Sequence, residues 1–226
     1  MSLTHFDLSG KTAMVTGSTR GMGEVSAMAL AKAGADVVIC GRNPEDLDRV
    51  SGAVKDLGRD SEGFTFDVRS KSSVQEGVDR ILSRFGKVDI LLNNAGLNHR
   101  VPVLEYSEEA WDLVLTTNLK GYFLVAQAVV PQMLERRYGK VINMSSILAK
   151  IALPDQLAYA CAKGGVNQMT KVMAVEWAKQ GVRVNAIGPT YFETEMVKQI
   201  RNDPVRFDFI NDRTRMGRWG HLPELE

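Results

Sequence analysis

Short apolar runs alternate with longer amphipathic stretches from the start of the chain. Lys11–Thr16, Asp36–Cys40, Gly63–Phe66, Val88–Leu92, Val141–Met144 and Val182–Ile187 predict strands. Several are apolar on both faces, which suits parallel strands covered on both sides. Helix patterns fall between them, near residues 21–33, 44–57, 71–85, 107–137 and 156–180. Asn43-Pro44-Glu45-Asp46 reads as a helix start: an N-cap, a proline in the first turn, then acids at the positive end of the dipole. Ser107-Glu108-Glu109 opens the longest helix in the same manner. The β-α-β-α order predicts an α/β fold, a doubly wound parallel sheet with helices on both faces and right-handed crossovers. No repeat or linker interrupts it, so residues 1–226 are expected to form one domain.

Composition narrows the function classes. With 44% hydrophobic and 24% charged residues, the chain is neither disordered nor fibrous. The 28 basic and 27 acidic side chains leave a net charge of +1, which gives no footprint for nucleic acid and no polybasic patch for a membrane. Two cysteines, Cys40 and Cys161, argue against a disulfide framework and for a reducing compartment. Residues Met1–Asp7 lack the basic and apolar regions of a signal peptide. The longest uncharged stretch, Gly121 to Leu134, is too short to span a bilayer. These features predict a soluble, cytoplasmic protein with a small-molecule substrate.

Directly after the first strand comes Thr16-Gly17-Ser18-Thr19-Arg20-Gly21-Met22-Gly23, and a helix pattern follows. Glycines there permit a tight turn and let the backbone approach a pyrophosphate seated on the helix N-terminus. Strand before and helix after make a dinucleotide site of Rossmann type the reading, although the spacing is Gly-x-x-x-Gly-x-Gly.

Together with Asn93-Asn94-Ala95-Gly96, Asn118, Ser146 and Tyr159-x-x-x-Lys163, this turn resembles the short-chain dehydrogenase/reductase family, from about Phe6 to the last residue. The resemblance implies an NAD(P)-dependent enzyme that interconverts a secondary alcohol and a ketone, working as a homotetramer. On the cofactor side it implies the turn residues Gly17 to Gly23, then Asp67 and Val68 at the adenine. It adds Asn94, Ala95 and Gly96 beside the cofactor, with Asn93 either there or pinning strands, and Pro189 and Thr190 near the nicotinamide. Asp67 has a rival role as cap of the helix starting near Ser70. No metal is implied.

The cofactor choice rests on the end of the second strand. NAD sites commonly hold an acid there for the ribose hydroxyls, whereas this chain has Ile39-Cys40-Gly41-Arg42. Arg42, with Arg20 approaching from the glycine turn, could grip a 2′-phosphate by charge-assisted bonds. The expectation is a preference for NADP(H), with NAD(H) possible. The plainer alternative makes both arginines solvated surface residues.

Tyr159 and Lys163, four residues apart in a helix pattern, share one face. A free tyrosine has a pKa of ~10, too high for a base near neutrality, and a neighbouring cation favours its phenolate. By resemblance Tyr159 is the general acid/base, and Lys163 lowers its pKa and bonds the nicotinamide ribose. Ser146, selected over Ser145 by family spacing, would donate to the substrate oxygen. Asn118 would anchor a water that relays protons to the lysine.

Leu97-Asn98-His99-Arg100-Val101-Pro102, Glu176-Trp177-Ala178-Lys179 and Gly217-Arg218-Trp219-Gly220 resemble sugar-acid dehydrogenases of the gluconate 5-dehydrogenase type. Arg100 is the candidate for a substrate carboxylate; the competing view pairs it with Glu105 at the surface. His99 is either a polar pocket residue or an exposed loop histidine. Glu193 to Ile200 predicts a short helix serving as a lid, with Phe192 and Met196 as apolar walls. Two departures stand out. Pro189 is followed by Thr190 where relatives carry glycine, and a further helix and a seventh strand are expected beyond Glu226. The leading expectation is oxidoreduction of a sugar acid or polyol. A 3-oxoacyl-thioester reductase is the runner-up, needing a basic surface for an acidic carrier protein; Arg136, Arg137 and Lys140 read instead as a solvated helix end. A non-catalytic NADP(H)-sensing protein is the reading from another class.

Overall fold

The computed structural model describes residues 6–225, so the expectations placed on residues 1–5 and on Glu226 lie outside it. Six strands form one parallel sheet in the order β3-β2-β1-β4-β5-β6. They are β1 Thr12–Thr16, β2 Asp36–Gly41, β3 Ser61–Thr65, β4 Ile90–Asn93, β5 Gly139–Met144 and β6 Val182–Ile187. The helices between them are α1 Gly21–Lys32, α2 Pro44–Asp56, α3 Lys71–Phe85, α4 Glu108–Leu115, α5 Gly121–Glu135 and α6 Leu157–Trp177.

The two-residue period of a strand explains the two cores. Met14, Val38, Leu91, Val141 and Val184 point to one face and meet Val78, Ile81, Val125 and Val129 of α3 and α5. Their neighbours Ala13, Val15, Val37, Ile39 and Leu92 point to the other face and meet Ala27, Ala31, Val50 and Val54 of α1 and α2. Burying both faces is what makes the central strands apolar throughout. Cys40 and Cys161 are unpaired, Cys40 inside and Cys161 exposed.

The predicted caps form. Asn43 accepts from Glu45 N at 3.0 Å, and Ser107 accepts from Ala110 N at 3.2 Å. Several boundaries move for local reasons. β3 begins two residues early because the Ser61 hydroxyl donates to Val37 O at 2.6 Å, which lets a polar residue open the strand. β4 begins two residues late, since Val88 O accepts from the Gln132 and Arg136 side chains.

The helix predicted over 107–137 is broken by a π-turn, Thr116–Lys120, between α4 and α5. The whole run Glu108–Glu135 is long and apolar enough to cross a membrane. In the fold it is a core helix, with Tyr122, Val125, Ala126, Val129 and Met133 at or near zero exposure.

Asp89 sits just before β4, at the end of the sheet opposite the strand C-termini, and is 1% exposed. It accepts from Arg136 Nη1 at 2.7 Å and Thr12 N at 3.1 Å, with Lys87 Nζ at 3.2 Å. Burial pushes its pKa up, but these three donors outweigh it and hold the carboxyl below its ordinary value. Arg136 is exposed, as the sequence suggested, but its guanidinium is tied to this buried carboxylate rather than left to solvent alone. Asp89→Ala should strip two cations and a strand N–H of their acceptor and cost about 2–3 kcal/mol, discounted because Arg136 is partly exposed. Urea unfolding would measure this, and an unchanged midpoint would contradict it.

Candidate active site

The chain reverses its winding between β1 and β4, and the crevice at a doubly wound sheet's switch point lies at the strand C-termini. The glycine turn lies there. Gly17 adopts φ +63°, and a Cβ on it would stand 2.8 Å from Ala95 Cα. A Cβ on Gly23 would strike Gly17 O and Asn94 Nδ2. Only glycine fits at either position. Asn94 is the strut: its Nδ2 donates to Thr16 O at 3.1 Å and Gly17 O at 3.0 Å, and its own N–H donates to Thr16 Oγ1 at 2.9 Å. Ala95 N also donates to Thr16 Oγ1, at 3.1 Å.

These residues fit a pyrophosphate: no side chain fills the cradle at Gly17, Gly21 or Gly23, and α1 begins there. Arg20 and Arg42, at its edge, are exposed and form no ion pair among the described residues. Arg49, which the sequence gave no reason to single out, ties the turn to α2 by donating to Thr19 O at 2.8 Å and to Glu24 at 2.7 Å.

Some expected cofactor residues have other duties. Ser18 is fully buried; its hydroxyl accepts from Cys40 N at 2.9 Å and thus joins the turn to β2. Asn93 is also fully buried and donates to Asn143 Oδ1 at 3.0 Å, so it pins β4 to β5. Asp67 does not cap α3, because Ser70 does, accepting from Ser73 N. The Asp67 carboxylate is gripped by Arg69 at 2.6 Å, which lowers its pKa. Val68 packs beside Gly121, where a Cβ would come within 3.1 Å of it. Thr190 is accommodated without strain, since Arg137 and Asp155 are the non-glycine residues with positive φ among those described.

Ser146 follows β5 with extended backbone, and its hydroxyl accepts from Leu148 N at 3.2 Å. Ser145 turns the other way, donating to Asn167 Oδ1 at 2.6 Å. Ser146 and Tyr159 are brought together at the C-terminal edge of the sheet. They line one cleft with Met22, Asn98, Arg100 and Tyr191, and Pro189 and Thr190 form part of its wall. Burial raises the Tyr159 pKa, while the Ser146 hydroxyl and then the Arg100 charge draw it down.

Lys163 is engaged within the fold. Its amine is buried and donates to Met144 O at 2.6 Å and to Tyr122 Oη at 3.1 Å, 5.6 Å from the centre of the Tyr159 ring. Loss of water drives its pKa down to about 7. Among charged groups Arg100 is the one that draws the Tyr159 pKa down, against burial, which keeps it above its ordinary value. Tyr122 was missed in the sequence, where only its place in an apolar helix hinted that a buried hydroxyl would need partners.

Asn118 lies in the π-turn, and π-turns recur at functional sites. Its Nδ2 donates to Val114 O at 2.9 Å and Leu97 O at 2.8 Å, and its Oδ1 accepts from Leu97 N at 3.2 Å. The side chain thus fixes the loop after β4. Arg100 does not pair with Glu105; it is half-buried and donates to Met196 O at 3.0 Å. His99 is exposed, with its ring edge-on to Tyr106.

The segment Glu193–Ile200, expected to serve as a lid, folds as a 3₁₀ turn Glu195–Val197 and a short helix α7, Lys198–Arg201. An unforeseen helix α8, Pro204–Arg213, follows, capped by Asp203. Tyr191, Ile200, Ile210 and Trp219 give the lid a small core of its own. Gly220 N donates to Tyr191 O at 2.9 Å, and Glu193 N donates to Gly220 O at 3.2 Å. That is the work of the Gly217–Gly220 motif: it ties the lid's first strand-like residues down. Phe192 and Met196 both line the cleft.

A hydroxyl pair on a sheet's C-terminal edge, beside a turn shaped for pyrophosphate, defines a dinucleotide-dependent oxidoreductase. The family model for short chain dehydrogenase matches residues 11–205, and the chain belongs to that family. It is 40% identical over 220 residues to a gluconate 5-dehydrogenase of Gluconobacter oxydans strain 621H, covering 97% of this chain and 86% of that protein. It is 41% identical over 227 residues to a 2-dehydro-3-deoxy-D-gluconate 5-dehydrogenase of Formosa agariphila, covering 100% and 86%. A crystal structure of a gluconate 5-dehydrogenase from Burkholderia cenocepacia J2315, in complex with NADP and tartrate, superposes with TM-score 0.96 at 39% identity, covering 100% of this chain and 88% of that one.

The buried amine has a measurable consequence. The unfolded chain holds the Lys163 proton up to about 10.5, whereas the folded protein releases it near 7. Between those values the unfolded state binds more protons, so this residue makes stability rise with pH across the window and adds no slope below it. Lys163→Met should flatten that rise in urea titrations of the cofactor-free protein between pH 7 and 9.5. An unaltered slope would show that the amine is charged inside the fold.

Proposed function

We propose that the protein is an NADP(H)-preferring dehydrogenase that interconverts a hydroxyl and a ketone on a sugar acid such as gluconate. The observation that carries this reading is Arg100. Its guanidinium lines the cleft of Ser146 and Tyr159, and its Nε is buried without a partner. A substrate carboxylate would supply the missing acceptor. The relatives' names, which specify sugar acids, and the NADP in the Burkholderia complex point the same way.

In this mechanism Ser146 donates to the substrate oxygen and steadies its developing charge. Tyr159 passes the proton to or from that oxygen, helped by the Arg100 charge. When bound, the nicotinamide supplies or accepts the hydride. Lys163, released from Tyr122 and Met144, holds the nicotinamide ribose, and Asn118 supports a proton relay to it. The 2′-phosphate falls to Arg20 and Arg42; Gly17, Thr19, Gly21, Met22, Gly23, Asp67, Val68, Ala95, Gly96, Pro189 and Thr190 complete the cofactor side. The carrier-protein reading fares less well, because Arg136 is committed to Asp89 at the opposite end of the sheet.

Residues 1–226 act as one domain in this reading, in the cytoplasm, where free cysteines persist. Phe123 on α5 and Val172 and Val175 on α6 are exposed, which supports assembly with further copies as a homotetramer.

Reduced-nicotinamide absorbance with gluconate should give faster turnover with NADP than with NAD, and Tyr159→Phe should abolish it. Equal or better turnover with NAD would refute the cofactor assignment. Arg100→Ala should raise the KM for gluconate roughly tenfold or more, as expected for loss of a charge-assisted pair. An unchanged KM would remove the carboxylate from this arginine.

A further inference from the structure

Five buried side-chain polar atoms lack a partner among the described residues, and two of them line the same cleft. One is Arg100 Nε, a donor. The other is Asn98 Oδ1, an acceptor. Unsatisfied buried side-chain atoms are uncommon in folded proteins, and each one calls for an explanation.

The Asn98 amide is not free to reorganise. Its Nδ2 donates to Gln156 Oε1 at 2.7 Å, and Gln156 is 4% exposed. Gln156 is itself fixed at the head of α6, where its carbonyl accepts from Ala160 N at 2.8 Å, three residues before Tyr159. With its amino group held there, Asn98 is left with a fixed oxygen that can only accept. Arg100, which lines the same cleft, can only donate.

The geometry points to Asn98 as a specificity-determining residue that accepts a hydrogen bond from a substrate hydroxyl, while Arg100 holds the carboxylate of the same molecule. This rests on the sugar-acid reading above and sharpens it. A polyhydroxy acid satisfies both orphaned atoms, whereas a plain keto acid satisfies Arg100 and leaves Asn98 desolvated and unpaired. A site built around such an acceptor discriminates against the analogue that lacks the hydroxyl.

The test uses two six-carbon acids with a ketone at C5, 5-ketogluconate and 5-oxohexanoate, of which the second has no hydroxyls. A neutral pair, sorbose and 2-hexanone, runs alongside. The readout is the ratio of kcat/KM within each pair, for the wild type and for Asn98→Leu. Asn98→Leu should lower the preference for the hydroxylated member by about 10- to 100-fold, the range of one lost buried hydrogen bond. A variant that slows both members equally has merely disturbed α6 and overturns the proposal, as does an unchanged ratio. Wild-type activity confined to the neutral pair rejects the sugar-acid reading, and the Asn98 proposal then stands or falls on that pair's ratio. No turnover of any hydroxylated member overturns both.

Discussion

Everything at the upper edge of this sheet depends on how closely β1 and β4 approach where the winding reverses. The Asn94 side chain closes that gap by binding two successive carbonyls of the first turn, Thr16 and Gly17. Once the gap is closed, no room is left for a Cβ on Gly17 or Gly23. The glycines are thus dictated by the backbone and the strut packed against them, with the start of α1 beside them. Helix α1 begins at the same point, so its free N–H groups and positive end face the cradle of that turn.

The second half of the site is arranged around a buried amine. Lys163 lies where water cannot reach it, and its hydrogen bonds run to one backbone oxygen and one phenol. With no carboxylate among those partners, the charge is weakly supported and the proton is lightly held. Such a group is suited to exchanging protons near neutrality, which a fully ion-paired lysine is not. Asn118 and the π-turn around it perform a different service. They lock Leu97, and so aim the loop that carries Asn98 and Arg100 across the mouth of the cleft.

The fold was legible because the central strands had to be apolar on both faces, a requirement written directly into the composition of those runs. The glycine turn was equally plain from its place between strand and helix, whereas Ser146 and Tyr159 stood out only through the family resemblance that joins them to it. Other features follow from partners distant in sequence. Ser18 read as a cofactor residue and Arg136 as a solvated helix end until Cys40 and Asp89 were brought against them, and the choice for Asn93 between cofactor contact and strand pinning waited on Asn143. The Asn118 side chain in the π-turn finds its partner in Leu97, 21 residues away. Helix α8 is the one omission with no such excuse: Asp203-Pro204 carries the same start signal as Asn43-Pro44.

The lid's private core has an evolutionary consequence. Tyr191, Trp219, Ile200 and Ile210 pack chiefly on one another, with Leu153, Val197 and Phe207 around them, and none belongs to the two clusters that hold the sheet. Substitutions on the lid's inner surface, at Phe192 or Met196, can therefore accumulate without loosening the dinucleotide scaffold. Selection can retune what enters the cleft on one module while the chemistry stays constant on the other. A single scaffold can in this way diversify across many hydroxylated acids by drift in a few positions.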